Sequence, residues 1–116
     1  MTGALNGKRV LVTGAAQGMG RAIAIACALQ GAEAVTVADI QRDAAQETAQ
    51  LVRNAGANAL VITADLTQSD QIHDMIETSA TFAGGLDTLI NNAGVIDTAF
   101  VHPAGFDTLD EATWDI

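Results

Sequence analysis

TGAAQGMGRAIA, residues 13–24, places three glycines, Gly14, Gly18 and Gly20, between an apolar run and a stretch with helical character. The run in front, RVLVT at 9–13, is almost continuously apolar, as strands buried on both faces of a parallel sheet are. A strand that turns into a helix over so few residues needs positions without a Cβ, partly for backbone angles and partly so that a phosphate can approach the amides at the helix start. That helix end supplies positive potential in an otherwise acidic chain. Three glycines alone are weak evidence for phosphate binding, because glycines also serve plain turns and close helix packing.

The surrounding sequence repeats the strand signal three times, in AVTVA at 34–38, ALVIT at 59–63 and DTLIN at 87–91. Between these runs lie two apolar stripes with helical spacing. Ala44, Ala45, Thr48, Leu51, Val52 and Ala55 form one, and Ile72, Met75, Ile76, Ser79, Phe82 and Ala83 form the other. Gly31, Gly56 and the Gly84-Gly85 pair fall where the helices should stop. Strand and helix thus alternate, which predicts right-handed crossovers and an α/β fold of one domain, a parallel sheet with helices on both faces.

The second strand ends at Asp39, 19 residues beyond Gly20. That is close to the roughly 20 expected of a carboxylate that accepts hydrogen bonds from an adenosine ribose. The plainer alternative is a solvated acid capping the next helix. A carboxylate here repels a 2'-phosphate, and Gln17 in the glycine turn is neutral, so NAD is favoured over NADP as the cofactor.

Composition narrows the partners. Lys and Arg number 5 against 14 Asp and Glu, a net charge of −9 in 116 residues. The cations are dispersed apart from Lys8 and Arg9, so neither nucleic acid nor a membrane surface is an expected partner. Cys27 is the only cysteine and sits in AIAIACAL, which excludes an internal disulfide and predicts a small buried side chain. The N-terminus lacks a leader pattern and no run approaches the roughly 18 apolar residues of a membrane span, so a cytoplasmic protein is expected.

With INNAG at 90–94, the pattern resembles the short-chain dehydrogenase/reductase family. The resemblance rests on TGAAQGMG at 13–20, Asp39, ADL at 64–66 and NNAG at 91–94, four motifs in order. It implies a Rossmann-like three-layer α/β/α fold with strand order 3-2-1-4. It also implies that Gly14, Gln17, Gly18, Met19 and Gly20 line a pyrophosphate turn and that Asp39 and Ile40 hold the adenosine ribose. Asp65 and Leu66 would flank the adenine, and Asn92, Ala93 and Gly94 would pass beneath the ribose, while Asn91 would tie neighbouring strands. Simpler roles are open for two groups: Asp65 could cap the turn before the next helix, and NNAG could be only a strand exit.

The family moves hydride between nicotinamide and an alcohol or carbonyl, with a Tyr as general acid/base, a Lys four residues on, a Ser and an Asn. Hydride transfer at carbon must be matched by proton transfer on oxygen. The 116 residues contain no tyrosine, and their only lysine, Lys8, precedes the first strand at the end away from the glycine turn. Ser69 and Ser79 fall on the third helix. Thr108 and Glu111 have capping-box spacing, so a helix should start there, and the family asparagine would come just beyond Trp114. No catalytic residue is assigned. The expectation is an N-terminal dinucleotide-binding fragment, incomplete over 1–116, that does not turn over alone. The alternative is a non-catalytic nucleotide-binding or partner-completing module. An incomplete sheet would leave Leu89 and Ile90 on an exposed edge, which predicts self-association.

His73 and Glu77, with Asp70 and Asp74 near them, read as a solvated acidic helix face, so no metal site is assigned. His102 reads as an ordinary loop residue and Trp114 as an apolar anchor. The loop 95–107 is too short a sample to indicate a substrate.

Overall fold

β1 (Arg9–Thr13) is the central strand of a four-stranded sheet in which β2 (Ala34–Asp39) and β4 (Thr88–Asn91) flank it and β3 (Asn58–Thr63) lies beyond β2. Every pairing is parallel, and the order is 3-2-1-4 as the family resemblance implies. The computed structural model describes residues 3–93. Gly94, the loop 95–107 with His102, the helix start at Thr108 and Glu111, and Trp114 lie outside the described residues.

Three helices connect the strands: α1 (Gly18–Leu29), α2 (Arg42–Asn54) and α3 (Ser69–Ala83). Successive residues of a strand point to opposite faces, and β1 shows this cleanly. Val10 and Val12, with Val35 and Val37 of β2, pack against Ala24, Cys27 and Ala28 of α1 and Ala45, Ala49 and Val52 of α2. Leu11 points the other way, into Ile72, Met75 and Ile76 of α3 and Leu89 of β4. Both faces are covered, which is why the strands read as unbroken apolar runs. One polar pair sits inside the second layer, where the Ser79 hydroxyl donates to Thr36 Oγ1 at 2.7 Å, both residues being buried.

Three expectations need correcting. Leu51 and Phe82 are each 40% exposed rather than part of the buried stripes, and Ala49 takes an inward position instead. At about 100° per residue, Leu51 stands well off the line of Ala45, Thr48 and Val52, and Phe82 lies at the margin of α3 in its last turn. Leu89 is fully buried beneath α3, so the apolar side chain expected on an open edge is covered, and Ile90 is half-buried. Among the described residues, β4 pairs with β1 alone.

At the N-terminal end of the sheet Arg9 staples β1 to the start of β4. Its Nε donates to Asp87 Oδ2 at 2.9 Å and its Nη2 to Oδ1 at 3.1 Å, while its backbone amide also reaches Oδ2 at 2.9 Å. Nη1 donates to the Gly84 carbonyl at 2.8 Å. These hydrogen bonds from Arg9 hold the Asp87 carboxyl below the usual carboxylate range, against an opposing effect of burial. A folded-state pKa below the unfolded value of about 3.9 means stabilisation that is present above that value and lost as the pH falls through the folded one. Asp87→Asn is therefore expected to flatten the acid limb of a plot of melting temperature against pH. Parallel curves for the two proteins down to strongly acid pH would show that the pair adds nothing.

Candidate functional site

Strand ends converge on a cleft of about 260 Å³ lined by Gly14, Asp39, Ile40, Ala64, Asp65, Leu66, Thr67 and Ala93. It lies outside the carboxyl ends of the strands, where β1 has neighbours leading off in both directions; open α/β sheets bind ligands at such switch points. Gly14, Asp39, Ile40, Asp65, Leu66 and Ala93, all expected to contact a dinucleotide, share this one cavity. Gln17, Gly18 and Met19 stand apart from its lining, at the start of α1. Met19, at the start of α1, and Ile40, in the lining, are 72% and 62% exposed. Gly94 lies outside the described residues.

The turn from β1 to α1 depends on its glycines. Gly14 and Gly18 have φ of +62° and +59°, in the left-handed region that residues with a Cβ adopt at a cost. Gly20 serves for another reason. A Cβ there would collide with the Gly14 carbonyl oxygen and stand 2.8 Å from Asn92 Nδ2. Asn92 is already engaged, its Nδ2 donating to the same carbonyl at 3.1 Å. The helix start has no side-chain cap at Gln17 and no acid in its first turn, which leaves amide hydrogens for an outside acceptor.

Asp39 does structural work as well as facing the cleft. Its Oδ2 accepts the Ala16 amide at 3.1 Å and its Oδ1 the Gln41 amide at 3.0 Å. Each carboxylate oxygen has a second lone-pair direction available. Asp65 does cap its local turn, as the simpler reading had it: Oδ1 accepts the Thr67 hydroxyl at 2.7 Å and the Thr67 amide at 3.0 Å. Those two bonds, the hydroxyl's first, hold the Asp65 carboxyl below its ordinary range. The capping role does not remove Asp65 from the cleft, which its residue still lines.

Two residues escaped the sequence reading. Thr13 is fully buried; its hydroxyl accepts the Ala93 amide at 3.2 Å and lies 3.1 Å from Asn91 Oδ1, tying the end of β1 to the exit of β4. A polar side chain closing an apolar strand was the available signal. Arg21 also escaped, having been counted only as one dispersed cation. Cys27, by contrast, is buried as expected, and burial pushes its thiol pKa up. Among the described residues no group of His, Cys, Asp and Glu could hold a metal, and no helix is long and apolar enough to cross a membrane.

The family model for short chain dehydrogenase matches residues 8–116. The chain belongs to the short-chain dehydrogenase family. A short chain dehydrogenase/reductase of Colletotrichum higginsianum is 39% identical over 111 residues, covering 96% of this chain and 40% of the relative. Among solved structures, a short chain dehydrogenase from Mycobacterium paratuberculosis bound to NAD is similar at a TM-score of 0.74 and 30% identity, over 79% of this chain and 38% of that one. A Burkholderia cenocepacia structure with bound NADP is similar at 0.72 and 35% identity, over 78% and 36%. This short-chain dehydrogenase sequence thus spans less than half the length of these relatives.

Proposed function

We propose that the chain binds NAD in the cleft, in preference to NADP, as the cofactor-binding part of an oxidoreductase that moves hydride between nicotinamide and an alcohol or carbonyl. The observation that carries this reading is the meeting of Gly14, Asp39, Ile40, Asp65, Leu66 and Ala93 in one cavity beside an uncapped helix start. In the proposed complex the turn from Gly14 to Gly20 receives the pyrophosphate, drawn by the α1 amides. Asp39 accepts hydrogen bonds from the adenosine ribose hydroxyls through the oxygen directions that its two backbone amides leave. Asp65 and Leu66 border the adenine, and Asn92, Ala93 and Gly94 run beneath the ribose. A 2'-phosphate would set a second anion against the Asp39 carboxylate, the basis for proposing NAD over NADP.

Proton transfer lies outside what these residues offer. There is no tyrosine, Lys8 precedes β1 at the end of the sheet away from the cleft, and Ser79 is buried against Thr36. We therefore propose no catalytic residue and no turnover by the 116 residues on their own. The same lack of a proton donor favours a second reading, a nucleotide-binding or partner-completing module without catalysis. Adding a complementary polypeptide should restore NADH production under the first reading and leave none under the second.

Calorimetric titration of NAD and NADP tests the binding claim directly. NAD should saturate, and Asp39→Ala should weaken it by about 1.5–3 kcal/mol, the scale of hydrogen bonds to a charged group. Because Asp39 also holds the turn, Asp39→Asn belongs beside it to separate lost charge from lost shape. Flat heats with NAD, or tighter binding of NADP, would overturn the assignment.

A further inference from the structure

Ala16 lies inside the glycine turn, is fully buried, and has both of its backbone polar groups committed. Its amide goes to Asp39, as described. Its carbonyl accepts from Arg21 Nη2 at 2.7 Å and lies 3.3 Å from the Thr48 hydroxyl. The same guanidinium reaches into α2, with Nε donating to Thr48 Oγ1 at 2.9 Å and Nη2 to the Ala44 carbonyl at 3.0 Å. Thr48 is fully buried, whereas the Glu47 side chain, 3.2 Å from Nη2, is 72% exposed and adds little as an ion pair.

We infer that Arg21 is a positioning residue for the cofactor site, holding the Ala16 peptide so that its amide fixes the Asp39 carboxylate; this rests on the NAD-binding reading above. The physical argument is one of satisfied groups. Without the guanidinium, the Ala16 carbonyl keeps only its 3.3 Å contact with the Thr48 hydroxyl, which lies equally close to the Ala44 carbonyl and can donate to only one of them, whereas the Ala44 carbonyl still has its helical amide partner. A buried carbonyl left without a partner is costly, and the peptide turns to find one. The carbonyl and the amide belong to the two peptides that meet at the Ala16 Cα, so a carbonyl that moves by carrying the Cα with it draws the amide off Asp39 Oδ2, and the carboxylate loses one of the two bonds that orient it. Arg21 thereby couples α2, the glycine turn and the end of β2 into one rigid unit without facing the cleft lining itself. Arginine suits the task because one planar fork supplies several donors at fixed angles, which an ammonium cannot reproduce.

The test uses the isotope-labelled 116-residue chain and follows both NAD titration and the Ala16 amide resonance by NMR. Arg21→Met should weaken NAD about tenfold, the loss of roughly one charge-assisted bond's worth of orientation, and should move the Ala16 amide proton away from its carboxylate-bonded position. Arg21→Lys should recover part of both, since one ammonium can still reach the Ala16 carbonyl. Unchanged NAD affinity in Arg21→Met overturns the inference. So does a fall in affinity with the Ala16 resonance unmoved, which would mark general loosening. If Arg21→Met does not fold, Thr48→Val carries the same comparison, with a smaller fall and a shifted Ala16 amide expected and no change in either counting against the inference. Failure of the unsubstituted chain to bind NAD would sink the proposed function instead, and the Ala16 shift in Arg21→Met would still decide whether Arg21 holds the turn.

Discussion

Replacing Gly20 with valine should abolish NAD binding and lower the melting temperature in the same protein. A Cβ at position 20 meets the Gly14 carbonyl oxygen, with the Gly14 carbonyl carbon at 2.7 Å and Asn92 Nδ2 at 2.8 Å. Two of these atoms belong to backbone, so no rotamer change relieves the contact. The α1 start must move away from the end of β1, and the Asn92 bond to Gly14 must lengthen or break. Overpacking of this kind costs about 1–3 kcal/mol. In a domain this size that corresponds to a fall of roughly 5–20 °C in melting temperature. Binding suffers separately, because the displaced segment is the one proposed to receive the pyrophosphate. Gly18→Ala is the informative control: its added Cβ meets nothing within 4 Å, and only the positive φ opposes it. That variant should lose about 1–2 kcal/mol and keep measurable binding. A Gly20→Val protein that melts and binds like its parent would refute the close-approach account.

The largest loss of stability is expected from Leu11→Ala. Leu11 is fully buried, sits on the central strand, and is packed by Ile72, Met75, Ile76 and Leu89. Its backbone is held on both sides, in register with Thr36 of β2 and Leu89 of β4. The strand therefore cannot sink into the space that truncation opens, and α3 has to leave most of the cavity unfilled. Buried leucine truncations of this type cost about 2–5 kcal/mol, a large share of the 5–15 kcal/mol that typically separates folded from unfolded. Urea denaturation should show the midpoint falling with the slope unchanged. A loss under about 1 kcal/mol would mean that α3 settles onto the sheet.

How much of this was legible beforehand follows from the kind of signal each feature leaves. The strands were readable to within about one residue because burial on both faces writes itself as consecutive Val, Leu and Ile, as in RVLVT and AVTVA. Their order came from the motif resemblance, since parallel strands of similar composition carry no mark of which neighbours which. Helix existence was clear, but facing was not always so. In alanine-rich α2 a stripe can be drawn through Leu51 or through Ala49, and hydrophobicity favours the wrong one; the close packing that admits only a small side chain decides it. Asp39 was identifiable from its strand end and spacing, and Asp65 only through the family resemblance. The contacts made by Arg21 and Arg9 were not, because a guanidinium's partners are scattered through three-dimensional space rather than periodic along the chain. The covering of Leu89 by α3 was likewise a tertiary fact.

The Arg9–Asp87 staple bears on the order in which the sheet can assemble. Arg9 finds its partner on β2 about 25 positions along the chain, at Ala34, whereas Asp87 is 78 positions away. Closing the longer loop costs about 1 kcal/mol more in chain entropy by the logarithmic rule, and its benefit arrives only once β4 has crossed to the far side of β1. The hairpin-free succession β1, β2, β3 can zip from neighbour to neighbour, but β4 must bypass two finished strands to dock. Contacts of such separation slow folding. The ion pair that fixes β4 in the native sheet is thus expected to close late, together with the bonds by which Asn92 and Ala93 hold the exit of β4 to Gly14 and Thr13 at the cleft end.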